Sequence, residues 1–418
     1  MVFSPLNRPT LSYYFTKNYN MKYQARPRAN TTHKIKRQFG DPLSALKPHP
    51  RFIPIPTEHQ KPDNLNYSVD DILGKTKIKS IESAGEIVIH TVGDTGGING
   101  TEVQEAIAQQ MEMQISMAAK GEDPAFFYHL GDVVYFNGLS ADYQEQFYEP
   151  YKEYPSKIFA IPGNHDGETR VKKNDQPDDE PSLTGFFENF CAKKRQPSEN
   201  SPYRYTVDQP WPYWTLEAPF VTIIGLYTNV DGSLDHWDDK VQDQYHWFVA
   251  QLKKAPKNKC LLLSLHHPPF SLDTTHGGYP DILDAIDQAS KEAGRHPDMV
   301  LSGHVHNYQR FTRTIGGKTY PHIVAGAGGY AHTAKAKHKI QRDPDTQHSD
   351  IVLPFQTLRK DVILNEYNIK DPGFLRLTID DKTIHGEYFT NTFEDARPPL
   401  NWYDEFIWDW KNNKAIKP

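Results

Sequence analysis

The sequence has few cysteines and no long apolar run. Only Cys191 and Cys260 occur in 418 residues, and they lie far apart, so we expect both thiols to be reduced. No segment reaches the roughly 18 consecutive apolar residues of a membrane-spanning helix, and Met1 to Asn30 lacks the apolar core of a secretory signal. The chain as given is therefore expected to be cytoplasmic, with no membrane partner. A removed leader would instead make it secreted or periplasmic.

Acidic residues are scarce at the N-terminus. The first 61 residues contain eleven Lys or Arg but only Asp41 and Glu58 as acidic residues, whereas the remainder is acidic and the formal net charge is −6. Such a basic segment is typical of an arm that binds nucleic acid, or of an irregular segment lying over its own acidic domain. We favour the second interpretation and do not expect a nucleic-acid partner.

Layered α/β architecture is predicted for the central part of the chain, where short apolar runs alternate with helical patterns. Ile87 to Val92 is typical of a buried strand, and Thr101 to Gln104 of a capping box that begins a helix. One stripe of that helix is apolar and predicts core packing. Its members are Val103, Ile107, Met111 and Ile115.

Further strands and helices follow the same pattern. Strands are predicted at Phe126–Leu130, Ile158–Ile161, Val221–Leu226, Lys259–Leu265 and Met299–Ser302, and helices near Lys240–Lys253 and Asp281–Ala293. Two late hairpins are predicted, Tyr308–Thr314 with Lys318–Ala325 and Phe374–Ile379 with Thr383–Phe389. These antiparallel pairs indicate a second sheet packed on the first. We therefore divide the chain into a basic, Pro-rich extension (1–85), a main domain (86–393) and an aromatic tail (394–418).

Five polar motifs follow predicted strands in the main domain. They are Gly93-Asp94-Thr95-Gly96, Gly131-Asp132-Val133-Val134-Tyr135, Gly163-Asn164-His165-Asp166, His266-His267-Pro268 and Gly303-His304-Val305-His306. The carboxyl ends of parallel strands meet at one edge of a sheet, which predicts a single cleft lined by all five motifs. Carboxylates, an amide, imidazoles and a phenol are the donors that two adjacent cations require.

In this order the motifs resemble the signature of the calcineurin-like metallophosphoesterases, over roughly Glu86 to Phe393. Two positions depart from the common pattern of that superfamily. Gly96 stands where most members have histidine, and Tyr135 where most have aspartate. Losing an imidazole while gaining a phenol resembles the tyrosinate-ligated branch, to which the purple acid phosphatases belong.

The resemblance implies a four-layer α/β/β/α sandwich with two packed mixed sheets, and two metal sites. Asp94, Asp132, Tyr135 and His306 would hold the first metal, and Asp132, Asn164, His266 and His304 the second. Because a phenol has a pKa of about 10, a highly charged cation is needed to ionise it at neutral pH. Fe(III) with a divalent iron, zinc or manganese ion is therefore expected. The alternative for Tyr135 is a buried side chain that only packs.

Three histidines are assigned by the resemblance to the substrate rather than to the metals. They are His165, His267 and His276, and for His276 an ordinary polar loop is the alternative. His266 is chosen over His267 as the ligand because the family pattern His-x-Pro uses its first histidine.

The implied activity is hydrolysis of small phosphate monoesters by metal-bound hydroxide. Alternatives are a phosphodiesterase or promiscuous phosphoesterase of the same fold, and a non-catalytic binding protein. The polar insertion between Asp166 and Pro202 is either a solvated loop or a specificity rim over the site. The tail is too aromatic to remain in water. We expect it to dock on the domain or on a second subunit, which makes a homo-oligomer an open possibility.

Overall fold

Two mixed β-sheets form the centre of the structure, a computed structural model. It describes residues 39–43, 55–56, 58–97, 100–119, 121–169, 172–173, 176–177, 180–198, 204–229, 244–330, 340–341, 351–391 and 401–417. Within these ranges the helices are α1 Asp70–Ala84, α2 Glu102–Met117, α3 Asn164–Gly167, α4 Thr184–Phe190, α5 Gln244–Lys254 and α6 Pro280–Ala293.

The strands of the described residues are numbered in chain order. They are β1 Asn66–Ser68, β2 Glu86–Val92, β3 Phe126–His129, β4 Lys157–Ala160, β5 Lys172–Lys173, β6 Gln176–Pro177, β7 Trp214–Glu217, β8 Val221–Leu226, β9 Cys260–Leu265, β10 Met299–Ser302, β11 Tyr308–Ile315, β12 Lys318–Ala325, β13 Phe355–Gln356, β14 Val362–Asn368, β15 Gly373–Asp380, β16 Thr383–Thr390, β17 Asn401–Asp409 and β18 Lys414–Lys417.

The two large sheets each combine parallel and antiparallel strands. The first has the order β1-β7-β8-β9-β10-β12-β11-β14-β13, and the second β18-β17-β16-β15-β2-β3-β4. The strands β8, β9, β10 and β12 run parallel in the first sheet, as do β2, β3 and β4 in the second. These parallel strands carry the polar motifs at their carboxyl ends, so the motifs lie at neighbouring sheet edges.

Alternate residues of the parallel strands enter different hydrophobic clusters. In β9, Leu262 packs between the two sheets, whereas Leu261 and Leu263 pack on the outer face with residues of α5 and α6. Ile107 and Met111 of α2 belong to the outer layer as well. Burial on both faces explains the continuous apolar runs of these strands. The predicted α/β/β/α sandwich with two mixed sheets is confirmed.

The predicted strands and both late hairpins are present, but the capping box at Thr101 is wrong. Thr101 makes no side-chain cap, and its hydroxyl donates to Glu105 instead. Gln104 donates to the backbone carbonyl of Gln146, so a tertiary contact replaces the local one. Cys191 and Cys260 are both free thiols, as predicted. None of the described helices is long and apolar enough to cross a membrane.

Both ends of the chain add strands to the sheets. Residues 66–84 of the N-terminal extension form β1 and α1, and β1 pairs with β7. The aromatic tail supplies β17, which pairs with β16 along its length and buries Trp408 and Trp410. The tail therefore docks on its own domain. The division at residues 86 and 393 and an oligomer through the tail both stay predictions.

A buried ion pair fastens the tail to the first sheet. Arg310 of β11 donates from Nε and Nη2 to both oxygens of Asp404 in β17, at 2.8 and 3.0 Å. The Tyr308 hydroxyl donates to the same carboxylate at 2.7 Å. Since Arg310 and Asp404 are both buried, neither charge has an alternative partner in water.

We expect Asp404→Ala to lower the free energy of unfolding by about 3–5 kcal/mol, because it leaves the Arg310 charge buried and unpaired. Urea denaturation would measure the loss. Asp381→Ala is the matched control, since Asp381 pairs with Lys411 at 3.7 Å on the surface and should cost less than about 1 kcal/mol. Equal losses for the two variants would contradict the assigned role of Asp404.

Candidate active site

Three of the predicted metal ligands have backbone conformations that are unfavourable for their residue type. Asp94, Asp132 and His304 have φ angles of 59°, 53° and 66°, and each directly follows a strand-end glycine. Non-glycine residues with such φ angles are uncommon and cluster at functional sites. The sharp backbone reversal turns each side chain into the space beyond the strand ends.

Four predicted ligands converge as the first group. The Tyr135 hydroxyl lies 3.0 Å from Asp94 Oδ1 and 3.0 Å from Asp132 Oδ2. His306 Nε2 lies 3.3 Å from the Tyr135 hydroxyl and 3.3 Å from Asp94 Oδ1. All four side chains are buried. Their donor atoms thus face one small volume, as the sequence predicted.

The second group shares Asp132 with the first. His266 Nε2 lies 3.1 Å from Asp132 Oδ2, and His304 Nδ1 lies 2.9 Å from Asn164 Oδ1. The other nitrogen of each imidazole has its own partner, because His266 Nδ1 is 2.8 Å from the Leu130 carbonyl and His304 Nε2 is 2.8 Å from the Tyr279 hydroxyl. Such outer contacts fix the ring orientation of metal-binding histidines.

The side chains of this centre supply less positive charge than its acidic groups would need in order to ionise. Burial raises the pKa of Asp94 well above its usual range, and burial together with Asp132 and Asp94 raises the pKa of Tyr135. Burial opposes charge on His266, but Asp132 and Asp94 raise the pKa of that imidazole to about 9. Among the described residues, no Lys or Arg bonds to Asp94 or Asp132.

The donor chemistry fits bound metal ions. Buried carboxylates, a phenol and an amide oxygen suit hard cations, and burial with neighbouring histidines holds the pKa of His304 low, in the neutral form that ligates. In the described ranges two clusters could each hold an ion: Asp94, Asp132 and His266, and His266, His267 and His304.

Tyr135 is held in place by Gln146. Gln146 Oε1 accepts a hydrogen bond from the Tyr135 amide at 2.8 Å, and Gln146 Nε2 donates to the Tyr135 carbonyl. A Cβ atom at Gly96 would lie 2.6 Å from Gln146 Oε1 and 2.9 Å from the Val133 carbonyl. The space that a side chain at position 96 needs is therefore filled by the residue that anchors Tyr135. This steric exclusion links the two departures from the common family pattern.

His165 and His276 lie at the open side of the centre, and both are only partly buried. His165 Nδ1 is 2.7 Å from the Phe136 carbonyl, and its backbone amide donates to Asp132 Oδ1 at 2.8 Å. The ring of His276 lies 4.9 Å from that of His304 and 5.9 Å from that of His306, measured between centroids. The structure thus brings these two of the three predicted substrate histidines beside the ligands.

His267, the third predicted substrate histidine, is more deeply buried than His165 and His276. It is fully buried, its Nδ1 lies 2.9 Å from the Thr228 hydroxyl, and its ring lies 4.4 Å from that of His304. The side chain thus lies beside His304, and with His266 and His304 it forms one of the two clusters that could hold an ion. Its assigned contact with substrate stays a prediction.

Two aromatic residues and one carboxylate at the site were missed from the sequence. Tyr330 stacks on Tyr135 with ring centroids 3.7 Å apart, and Tyr279 contacts His304. Asp166 accepts hydrogen bonds from the amides of Gly163 and Val133, and burial raises its pKa to about 7. Asp166 could have been found as the last residue of its motif. No motif marks either tyrosine.

A family model of the calcineurin-like phosphoesterases matches residues 86–308. The chain belongs to this family. Within this family the chain is similar to the purple acid phosphatases, as the relatives described next show.

Two curated relatives come from Arabidopsis thaliana. Purple acid phosphatase 18 is 26% identical over 233 residues, which is 52% of this chain and 46% of the relative. Purple acid phosphatase 22 is 32% identical over 114 residues, which is 26% of each chain. This chain therefore spans less than half the length of either relative.

Solved structures share the fold at low sequence identity. The purple acid phosphatase PPD1 from yellow lupin aligns with a TM-score of 0.53 and 16% identity, over 78% of this chain and 54% of that one. GAP50, the anchor in the inner membrane complex of Plasmodium, aligns with a TM-score of 0.50 and 14% identity, over 76% of this chain and 90% of that one. At these identities the likeness supports the fold alone.

The link between Gly96 and Gln146 is testable. We expect Gly96→Ala to lower the free energy of unfolding by about 1–3 kcal/mol, since the new methyl overpacks the site. In a Gln146→Ala background part of that cost should vanish, with a coupling of about 0.5–3 kcal/mol in urea denaturation.

Gly294→Ala serves as the control, because a Cβ atom there meets nothing within 4 Å. Its cost should add to that of Gln146→Ala to within about 0.5 kcal/mol. An additive result for Gly96→Ala as well would mean that Gln146 does not exclude a side chain at position 96.

Proposed function

We propose that this chain hydrolyses phosphate monoesters with two bound metal ions, Fe(III) and a divalent iron, zinc or manganese ion. One observation carries the proposal: seven side chains converge, with Asp132 between them, and two partly exposed histidines lie at the open side. The seven are Asp94, Asp132, Tyr135, Asn164, His266, His304 and His306. When bound, two cations would neutralise phosphoryl oxygens and lower the pKa of an attacking water.

The position of each residue suggests its role in this reaction. Asp132 lies between the two ligand groups and is the bridging candidate. His165 Nδ1 is hydrogen-bonded to the Phe136 carbonyl. The other ring nitrogen, Nε2, is therefore the one assigned to bind a phosphoryl oxygen or to carry a proton. His276, beside His304 and His306, is placed to protonate the leaving group or bind a second oxygen. His267 stays a candidate for substrate contact, and its ring also packs 4.4 Å from that of His304.

Two alternatives remain distinct from this proposal. Phosphodiester or promiscuous ester hydrolysis would use the same centre and differ only in the wall around it. A non-catalytic role, of the kind suggested by the description of GAP50 as an anchor, predicts a weakened ligand set. All seven ligand positions here hold side chains that can bind metal, which favours catalysis. Nucleic acid and membrane are not proposed as partners.

The proposal predicts hydrolysis of a chromogenic phosphate monoester by the metal-reconstituted protein, faster than of matched diesters and triesters. His165→Ala should lower kcat by about 10²–10⁴-fold with metal content unchanged, because its imidazole faces substrate. Elemental analysis and steady-state kinetics measure both quantities.

Asp132→Ala is the companion variant and should lose both metal and turnover, since no nearby carboxylate replaces a bridge. If the protein hydrolyses diesters faster than monoesters, it is a phosphodiesterase and the monoester assignment is wrong. Metal loss in His165→Ala would move that residue into the ligand set.

Ligation of iron by Tyr135 predicts a colour. A phenolate bound to Fe(III) absorbs visible light by ligand-to-metal charge transfer, so oxidised, iron-loaded protein should be coloured and Tyr135→Phe should be bleached. Absorption spectra with parallel iron analysis measure this. Tyr330→Phe is the control, since it keeps the ring stacked on Tyr135 without altering the proposed ligand. A colourless wild type, or a band that persists in Tyr135→Phe, would show that Tyr135 is not a ferric ligand.

A further inference from the structure

The described part of the N-terminal extension contacts the loop that carries His276. The Pro42 carbonyl accepts hydrogen bonds from the amides of Ser271 and Gly278, at 3.0 and 3.2 Å. These two amides flank His276 on either side in the chain. In the described ranges, one acceptor from outside the family-matched residues thus holds both ends of this loop.

The loop between these amides is closed upon itself. Leu272 and Gly277 form an antiparallel bridge, and the Ser271 hydroxyl donates to the His276 carbonyl at 2.8 Å. Asp273 Oδ1 accepts from the His276 amide at 2.7 Å. The backbone of His276 is therefore fixed relative to the loop. Contacts from outside the loop, made by Gln309 as well as by Pro42, fix the position of the loop.

The backbone of the N-terminal extension packs closely against Gly278. A Cβ atom on Gly278 would lie 2.3 Å from the Pro42 carbonyl oxygen and 2.3 Å from that of Pro269. Glycine at this position therefore leaves room both for the start of the loop and for the backbone of residues 39–43, which we call the N-terminal clasp. The clasp thus packs directly against the loop backbone.

Gln341 holds the clasp against the loop. Gln341 Oε1 accepts from the Gly40 amide at 2.9 Å, and Nε2 donates to the Asp41 carbonyl at 3.1 Å. Its own amide donates to the Leu272 carbonyl at 2.8 Å. The ring of Phe39 packs edge-on against Phe355 of β13, with centroids 5.3 Å apart. The clasp therefore has side-chain anchors that are separate from the catalytic groups.

We infer that the N-terminal clasp is a positioning element for His276. This inference rests on the proposed function, because it gives the clasp a part in phosphate-ester hydrolysis. A displacement of about 1 Å of a substrate-contacting group can cost about 10²-fold in rate, so two hydrogen bonds at the ends of a closed loop are enough to matter. Phe39 and Gln341 act through the loop and are positioning residues.

The test uses the full chain carrying Phe39→Ala and Gln341→Ala together. Turnover of a phosphate monoester should fall by about 10-fold or more, with KM less affected and metal content unchanged. Hydrogen–deuterium exchange of peptides spanning residues 268–280 should accelerate, because the Ser271 and Gly278 amides lose their acceptor. Gln251→Ala is the matched control, since Gln251 is a buried glutamine of α5 bonded to Thr215 at 3.2 Å. It should change neither quantity.

A double-mutant cycle separates positioning from general loss of stability. In a His276→Ala background, the Phe39→Ala and Gln341→Ala changes should produce no further loss of kcat. An equal loss in both backgrounds, or exchange that matches the Gln251→Ala control, would overturn the inference. If wild-type protein hydrolyses no phosphate ester, the proposed function fails, while the exchange measurement still decides whether the clasp holds the loop.

Discussion

The placement of Asp94 and Asp132 in a buried centre is the constraint on which the rest of this structure depends. Two carboxylates that lose their hydration and face each other are costly unless protons or cations compensate. Here the compensating partners are histidines, and burial pushes Asp94 and the Tyr135 phenol toward their protonated forms. A site of this kind is well matched to metal ions, whose binding would displace those protons.

The two-sheet sandwich supplies the rigidity that such a centre needs. Parallel strands buried on both faces leave little freedom at their carboxyl ends, so the loops that follow can hold unfavourable φ angles. Gln146 has two roles in this arrangement: it anchors Tyr135, and it fills the space beside Gly96. Ligand identity at one position is therefore coupled to side-chain volume at another.

The residues that match the family do not form the whole working unit. Asp404, from the aromatic tail, pairs with Arg310 just after the last ligand motif. Pro42, from the basic extension, contacts the loop of His276. Both additions pack on the side of the sandwich where the ligand motifs leave the strands. In this chain, segments outside the family-matched residues contact the loop of His276 and the strand that follows the last ligand motif.

The local sequence was enough to predict the strands and the cleft at their ends, and the family resemblance added the sandwich and the ligand groups. Continuous apolar runs, followed by glycine and a polar cluster, predict buried strands whose ends meet at one edge. Asp94, Asp132 and His304 lie in such clusters, so their convergence follows from short-range pattern and sheet topology together. The aromatic tail was likewise expected to dock, because so many rings are costly in water.

Contacts between distant segments were decided only by the tertiary structure. The predicted capping box at Thr101 is absent, and the Gln104 side chain instead donates to the carbonyl of Gln146, 42 residues away. His267 contacts Thr228, and Tyr330 stacks on Tyr135, although no local pattern marks either contact. The hold of Pro42 on the His276 loop belongs to the same class, since a backbone carbonyl has no signature in sequence. Local patterns thus determine which side chains are available, and packing of the whole chain decides which of them meet.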